Sequence, residues 1–101
     1  MHRVYVPNRG PHNYSGASEF GELVFCSDGP LDRNDTSQMY RLMSEAMHGS
    51  SPDDYILLTS LASLCAVATA LFSWKHGELH LLLFENDRYL VKNLYFEQQG
   101  V

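Results

Sequence analysis

The sequence predicts an α/β fold: a small mixed sheet of about five strands with a parallel centre, a C-terminal β-hairpin and two main helices. Two observations predict it. Short runs rich in Val, Leu and Tyr alternate with segments of helical periodicity, and the last two runs are separated by the turn-forming pair Asn86-Asp87. The length of 101 residues suits one domain, and we interpret residues 1–101 as a single α/β unit.

The first part of the chain predicts two strands joined by a loop. The run "RVYV" (3–6) is β-branched and aromatic and is stopped by Pro7, whereas "ELVFCS" (22–27) precedes a turn at Asp28-Gly29-Pro30. Between them, "PNRGPHNYSG" (7–16) is dense in turn-forming residues, and a single helical turn is expected at 17–20.

A capping box predicts the start of the first helix, at 36–48. Asp35 precedes it, Gln38 stands three positions later, and Gly49 ends it. The helix carries a row of methionines on one face, namely Met39, Met43 and Met47. Such a row either fills the core under a sheet or makes an adaptable surface for a partner.

The run from Tyr55 to Trp74 has twenty residues without a charge, the length of a membrane span. Its pattern favours another interpretation. Tyr-Ile-Leu-Leu (55–58) suits a buried strand, Thr59-Ser60 resembles an N-cap, and 61–76 suits a helix with one apolar face and one small, weakly polar face. A helix that faces lipid has no need of two unlike faces. The run therefore predicts a strand and a helix of a soluble protein, with no membrane partner.

The C-terminal part predicts a hairpin. "ELHLLLFE" (78–85) and "RYLVKNLYF" (88–96) are both strand-like. Since a strand, a helix and a strand follow one another from 55 to 85, we expect a parallel, right-handed crossover there. Residues 97–101 are interpreted as a candidate flexible tail.

Composition and charge exclude several classes of function. The formal net charge is −5, and the seven Lys and Arg residues are scattered, which disfavours direct binding to nucleic acid. Cys26 and Cys65 form no disulfide framework or zinc spacing and are expected to be buried thiols, and the N-terminus has no apolar leader segment. These features predict a cytoplasmic protein. The five histidines show no ligand spacing, so neither a metal nor another cofactor is expected.

One candidate ligand site lies at the carboxyl ends of the predicted parallel strands, where ligands collect in α/β sheets. The start of the second helix and the first loop would there offer hydroxyls, free N–H groups and positive charge to an anion such as phosphate: Thr59, Ser60, Ser63, Arg9 and His12. The alternative is that Thr59 and Ser60 only cap the helix and that Arg9 and His12 are solvated. A Cys26–His12 nucleophile and base is conceivable, but the spacing does not require it.

Two further polar features have structural interpretations. His80 alternates within a strand and is expected at the surface, and Asp53-Asp54 are expected to solvate a loop after Pro52.

A stripe of small residues predicts a second candidate site on the helix at 61–76. Ala62, Ala66 and Ala70 recur every four residues, flanked by Thr69 and Ser73. Small side chains let another backbone approach closely, so this stripe is expected at an interface. The partner is either the 36–48 helix of the same chain or a second subunit, and a homodimer is favoured.

Three stretches, "YVPNRGPHNYSGASEFGELVFCSDG", "DDYILLTS" and "KHGELHLLLFENDRYLV", resemble small accessory proteins carried by tailed bacteriophages. The resemblance covers most of the chain. It implies expression inside a bacterial cell, in the host cytoplasm, and a role in inhibiting a host enzyme or countering a defence system.

Two hypotheses follow from the sequence. In the first, the protein is a non-enzymatic module whose acidic surface binds a basic patch of a host protein. In the second, the crevice at the strand ends binds a small phosphorylated molecule or nucleotide, to sequester or cleave it. The first is favoured because no convergent catalytic set is visible in the sequence.

Overall fold

The computed structural model describes residues 2–59 and 61–97 of the chain. It contains two α-helices, one 3₁₀ helix and five strands. In chain order these are β1 (Arg3–Val6), the 3₁₀ helix (Ser15–Glu19), β2 (Glu22–Phe25), α1 (Thr36–Ala46), β3 (Tyr55–Leu57), α2 (Ala62–His76), β4 (Glu78–Glu85) and β5 (Arg88–Tyr95).

The strands form one mixed sheet in the order β2-β1-β3-β4-β5, which confirms the predicted fold class. The β1–β2, β1–β3 and β3–β4 pairs are parallel, and only β4 and β5 pair antiparallel. The hairpin turns at Asn86 and Asp87, whose φ angles are 52° and 61°. Positive φ at both central residues matches the twist of the flanking strands, so the turn works without the usual glycine.

The two faces of the sheet are covered differently because side chains alternate along each strand. Helices α1 and α2 lie on one face and pack with Tyr5, Ile56 and Leu79. The 3₁₀ helix lies on the other face, where Ala17 joins a second cluster with Val4, Val6, Leu57 and Leu82. Met39, Met43 and Met47 are all buried on the first face, so the methionine row is core rather than a partner surface.

The Asp35 side chain caps helix α1 as predicted, whereas the Asp35 N–H donates to the Asp32 carbonyl at 3.0 Å instead of to the Gln38 side chain. The Asp35 carboxylate accepts the Gln38 N–H at 3.0 Å, which satisfies one of the free donors of the first turn. The helix ends at Ala46, two residues earlier than predicted.

The uncharged run from Tyr55 to Trp74 divides into strand β3 and helix α2, as predicted. In the described part of the chain, no helix has both the length and the apolarity that crossing a membrane requires. The predicted cap is wrong in detail. Leu61 occupies the N-cap position without a side-chain hydrogen bond, and Ser60 lies outside the described residues. Thr59 instead contacts the helix through Cys65, whose Sγ accepts the Thr59 N–H at 3.3 Å.

Two predicted surface residues are buried. Asp54 is 3% exposed, and its carboxylate accepts N–H groups from Arg3 and Ser51. His80 of β4 is 9% exposed, and its ring contacts the side chain of Asn93 on β5. Both predictions of exposure are wrong for the same reason: each side chain finds polar partners distant in sequence, and a paired polar group can be buried at little cost.

Candidate functional site

The strand order creates a crevice between the carboxyl ends of β1 and β3. After β1 the chain turns to the 3₁₀ helix on one face of the sheet, and after β3 it turns to α2 on the other face. Strands β1 and β3 are neighbours in the sheet, but the connections that follow them run to opposite faces. A gap therefore lies between the two connections. Ligands of open α/β sheets bind at such a point.

A cavity of about 350 Å³ occupies this crevice, which we call the strand-end crevice. Its wall comes from the loop after β1, the end of β3 and the β4–β5 hairpin: His12, Asn13, Tyr14, Leu57, Leu58, Thr59, Phe84 and Tyr89. Aromatic and aliphatic side chains dominate, and a few polar groups are placed among them. That composition is typical of small-molecule sites.

The first loop is held in place by backbone and hydroxyl hydrogen bonds. The Arg9 N–H donates to the carbonyl of Ser27 at 2.9 Å, and the Gly10 N–H donates to the hydroxyl of Tyr14 at 3.0 Å. Tyr14 is itself buried against Phe25, with ring centroids 5.6 Å apart. The loop is therefore anchored on the sheet, and its exposed His12 is presented at the crevice.

The structure brings together two of the five predicted ligand residues, since His12 and Thr59 both line the crevice. Arg9 does not line it, because its guanidinium carbon lies 4.0 Å from the centre of the Phe25 ring. Ser63 donates its hydroxyl to the carbonyl of Arg33 at 3.3 Å. Ser60 lies outside the described residues.

The sequence did not identify the other six lining residues as site residues, namely Asn13, Tyr14, Leu57, Leu58, Phe84 and Tyr89. Phe84 and Tyr89 face each other across the hairpin with centroids 5.0 Å apart, and both belong to predicted strands. Their place beside the first loop depends on the strand order. No local pattern reports that order.

Cys26 does not line the strand-end crevice beside His12, the base with which it could form a catalytic pair. Its side chain packs with the cluster under helices α1 and α2, and burial raises the pKa of its thiol to about 12. A thiol that stays protonated is a poor nucleophile. Cys26 and Cys65 are both free and buried, as predicted.

A second candidate surface lies on the helix layer. Thr36 and Tyr40 of α1 and Val67, Ala70, Leu71 and Trp74 of α2 line one shallow groove, which we call the Trp74 surface. Trp74 is 86% exposed and Tyr40 is 56% exposed. The predicted alanine stripe runs into this groove, because Ala62, Ala66 and Ala70 are exposed at four-residue intervals that end at Trp74. The buried methionines of α1 do not cover the stripe.

Ser73, the last residue of the predicted interface, does not line this surface. It is half-buried, and its hydroxyl donates to the carbonyl of Thr69 at 2.7 Å within α2. The exposed part of the stripe is therefore apolar.

Comparison with known protein families shows to which family the chain belongs. The family described as Phage Pam3 gp32-like protein matches residues 2–97. The chain belongs to this family. The match confirms the resemblance to phage accessory proteins and identifies the chain as a phage protein. No curated protein and no solved structure matches it.

A polar cluster joins β4 and β5, the last two strands of the chain. The His80 ring contacts the Asn93 side-chain oxygen through Nδ1 and the Glu78 carboxylate through Nε2, both at 2.7 Å. Burial lowers the pKa of His80, but the hydrogen bonds to Asn93 and Glu78 raise it by more, so the pKa lies above its usual value. The hydrogen bond between His80 and Asn93 thus connects β4 to the edge strand β5.

Within residues 2–59 and 61–97, no group of three or more His, Cys, Asp or Glu side chains is arranged to hold a metal ion. The strand-end crevice and the Trp74 surface are two candidate binding sites on the described part of the chain.

Proposed function

We propose that this phage protein acts in the host cytoplasm by binding a host protein and modulating it, either to inhibit a host enzyme or to counter a defence system. The Trp74 surface is the docking site in this proposal. The exposure of Trp74 is the observation that carries it.

Tryptophan is the residue most enriched among the side chains that dominate binding energy at interfaces. Its large ring is rigid, so ordering it costs little entropy, and it buries much apolar area when covered. Trp74 stands beside the exposed ring of Tyr40 and at the end of the alanine stripe. A shallow, uncharged groove between two helices, with two aromatic anchors, supports the docking of a partner's helix or loop.

The charge of the protein supports a partner with a basic surface. Twelve acidic residues outnumber seven basic ones. Such an excess accelerates association with a positively charged partner and makes it sensitive to salt. We expect the apolar groove to provide most of the affinity and the surrounding negative charge to increase the association rate.

Replacing Trp74 by alanine is expected to weaken capture of the host protein by about 30-fold or more, because a central aromatic anchor is lost. The measurement is quantitative affinity capture from host lysate with immobilised wild type and Trp74→Ala, followed by titration of the captured protein against each. Raising the salt concentration should slow association of the wild type.

The matched control is Phe84→Ala, which removes another exposed aromatic ring but from the other side of the sheet. It should leave capture unchanged. If both variants bind as wild type does, the Trp74 surface is not the docking site. If only Phe84→Ala loses binding, the partner reaches the strand-end crevice instead.

A second candidate function is the binding of a small phosphorylated ligand or nucleotide in the strand-end crevice. The observation that favours it is the place of the crevice at the separation of the β1 and β3 connections, with aromatic walls and His12 at its rim. Phe84 and Tyr89 offer faces on which a planar base could stack. The side chains of Thr59 and His12 offer hydrogen bonds to phosphate oxygens.

Isothermal calorimetry with nucleoside mono- and triphosphates tests this function. We expect His12→Ala and Phe84→Ala each to weaken binding by about tenfold, through loss of a hydrogen bond to phosphate and of stacking, respectively. His48→Ala is the control, because His48 is exposed just after the end of α1 and does not line the crevice. Equal binding by all three variants would remove the crevice from the proposal.

A further inference from the structure

Strand β5 is an open edge of the sheet. In the part of the chain that the structure describes, β4 is the only strand that pairs with it. It is eight residues long, whereas β2, the strand at the opposite edge, has four. Long open edges present unpaired hydrogen-bonding groups to other chains, and proteins usually shorten or cover them.

The hairpin determines which backbone groups of β5 are free. Glu85 pairs with Arg88 across the two-residue turn, and the Phe96 N–H donates to the Gly77 carbonyl at 3.1 Å. In an antiparallel pair the hydrogen-bonded positions alternate, so the even-numbered residues of β5 bond to β4. The N–H and C=O groups of Tyr89, Val91, Asn93 and Tyr95 therefore point away from the sheet.

Exposed apolar side chains concentrate at the same edge. Of the seven large apolar side chains that are exposed in the described residues, five lie between Phe84 and Phe96: Phe84, Val91, Leu94, Tyr95 and Phe96. They occupy both faces of the sheet, since the register places Val91 opposite Leu82 and Leu94 opposite Leu79. Helices α1 and α2 contact β5 too little to cover it.

We propose that the β5 edge binds the β5 edge of a second copy of this chain, antiparallel about a two-fold axis at Asn93, so that two sheets become one continuous sheet of ten strands. An antiparallel pair of identical edges is closed by a two-fold axis, and both edges are then satisfied at once. This interface is separate from the Trp74 surface and does not rest on the proposed host binding.

The register centred on Asn93 matches apolar with apolar side chains. It sets Val91 opposite Tyr95 of the second copy and Leu90 opposite Phe96 of the second copy. It also aligns the free groups of Val91, Asn93 and Tyr95 for about six main-chain hydrogen bonds. Cross-strand pairs of aromatic and β-branched residues are among the most stabilising.

The charge of Lys92 favours the register centred on Asn93 over the register shifted by one residue. A shift of the axis by one residue, to Lys92, would set Lys92 directly opposite its own copy, and like charges at facing positions are destabilising. With the axis at Asn93, Lys92 faces Leu94 of the second copy, and its long aliphatic stem can cover that side chain.

Charged pairs test the interface and its register together. Val91 is 38% exposed and Tyr95 is 68% exposed, so lysine at either position leaves the folded monomer intact. Val91→Lys with Tyr95→Lys places like charges opposite each other and is expected to weaken the dimer by at least about 100-fold. Val91→Lys with Tyr95→Glu places opposite charges there and should restore it. Ala66→Glu, on the alanine stripe, should leave it unchanged.

Sedimentation velocity at about 50 µM gives the result, with circular dichroism to verify that each variant is folded. The expected pattern is a dimer for the wild type, Ala66→Glu and the lysine–glutamate pair, and a monomer for the two lysines. A monomeric wild type would overturn the proposal, and so would a dimer that the two lysines leave intact or that Ala66→Glu dissociates. If the two lysines dissociate the dimer but the lysine–glutamate pair does not restore it, the register centred on Asn93 is wrong.

Discussion

Replacing Asp54 by alanine is expected to lower the free energy of unfolding by about 3 kcal/mol, because hydrogen bonds to a carboxylate are worth about 1.5–3 kcal/mol each. The buried Asp54 carboxylate accepts the Arg3 N–H at 2.9 Å and the Ser51 N–H at 2.8 Å. Arg3 begins β1, and Tyr55, the next residue after Asp54, begins β3. The carboxylate therefore holds the amino ends of two neighbouring parallel strands. Urea denaturation measures the loss.

The neighbouring carboxylate supplies the control for this prediction. Asp53 is exposed, so Asp53→Ala should change stability by less than about 0.5 kcal/mol. Asp54→Asn keeps one acceptor oxygen but turns an amide NH₂ toward the other N–H donor. Its loss of stability should therefore lie between those of Asp53→Ala and Asp54→Ala. Equal stability of Asp53→Ala and Asp54→Ala would show that the two hydrogen bonds do not hold the strands.

Replacing Gly21 by alanine is expected to cost about 2–3 kcal/mol, the upper part of the range for overpacking. A Cβ atom at Gly21 would lie 2.7 Å from the carbonyl carbon of His2 and closer still to its oxygen. That oxygen accepts the Glu22 N–H at 2.9 Å, the bond that leads into the β1–β2 pair. The extra methyl group must push the two backbones apart and break this bond. Thermal unfolding and urea denaturation measure the effect.

Gly29 is the matched glycine for comparison. Its φ is +83°, but a Cβ there would meet nothing within 4 Å. Gly29→Ala should therefore cost about 1 kcal/mol, the backbone strain alone. The interpretation of Gly21 fails if its substitution costs no more than that of Gly29.

The sequence predicted most of the fold because the relevant signals are local. Asp35 marks the start of α1, and in the observed cap its carboxylate accepts the backbone N–H of Gln38. The division of the uncharged run into β3 and α2 followed from a change of period inside twenty residues. The hairpin at Asn86-Asp87 joins two runs that alternate in the same way. Each of these features is decided by residues that lie close to one another in the sequence.

The candidate site was predicted less completely. His12 and Thr59 line the strand-end crevice, since the carboxyl ends of parallel strands meet at one edge of a sheet. Phe84 and Tyr89 were missed, because only the order of the strands brings the hairpin beside the first loop. The stripe on α2 was visible from its spacing, but its continuation into an exposed Trp74 became visible only with the helix packed on the sheet.

The sequence by itself determined the class of the fold, the number and type of its main elements and the face of α1 that carries the methionine row, because hydrophobic periodicity reports which residues share one side of an element. That this row fills the core was decided by the packing of α1 on the sheet. Only the tertiary structure decided where the polar groups lie. Asp54 and Arg3 are 51 positions apart and His80 and Asn93 are 13 apart, and each pair meets across neighbouring strands. A carboxylate or an imidazole has the same local pattern whether water or a distant N–H satisfies it. The partner, and with it the burial, exists only once the chain has folded back on itself.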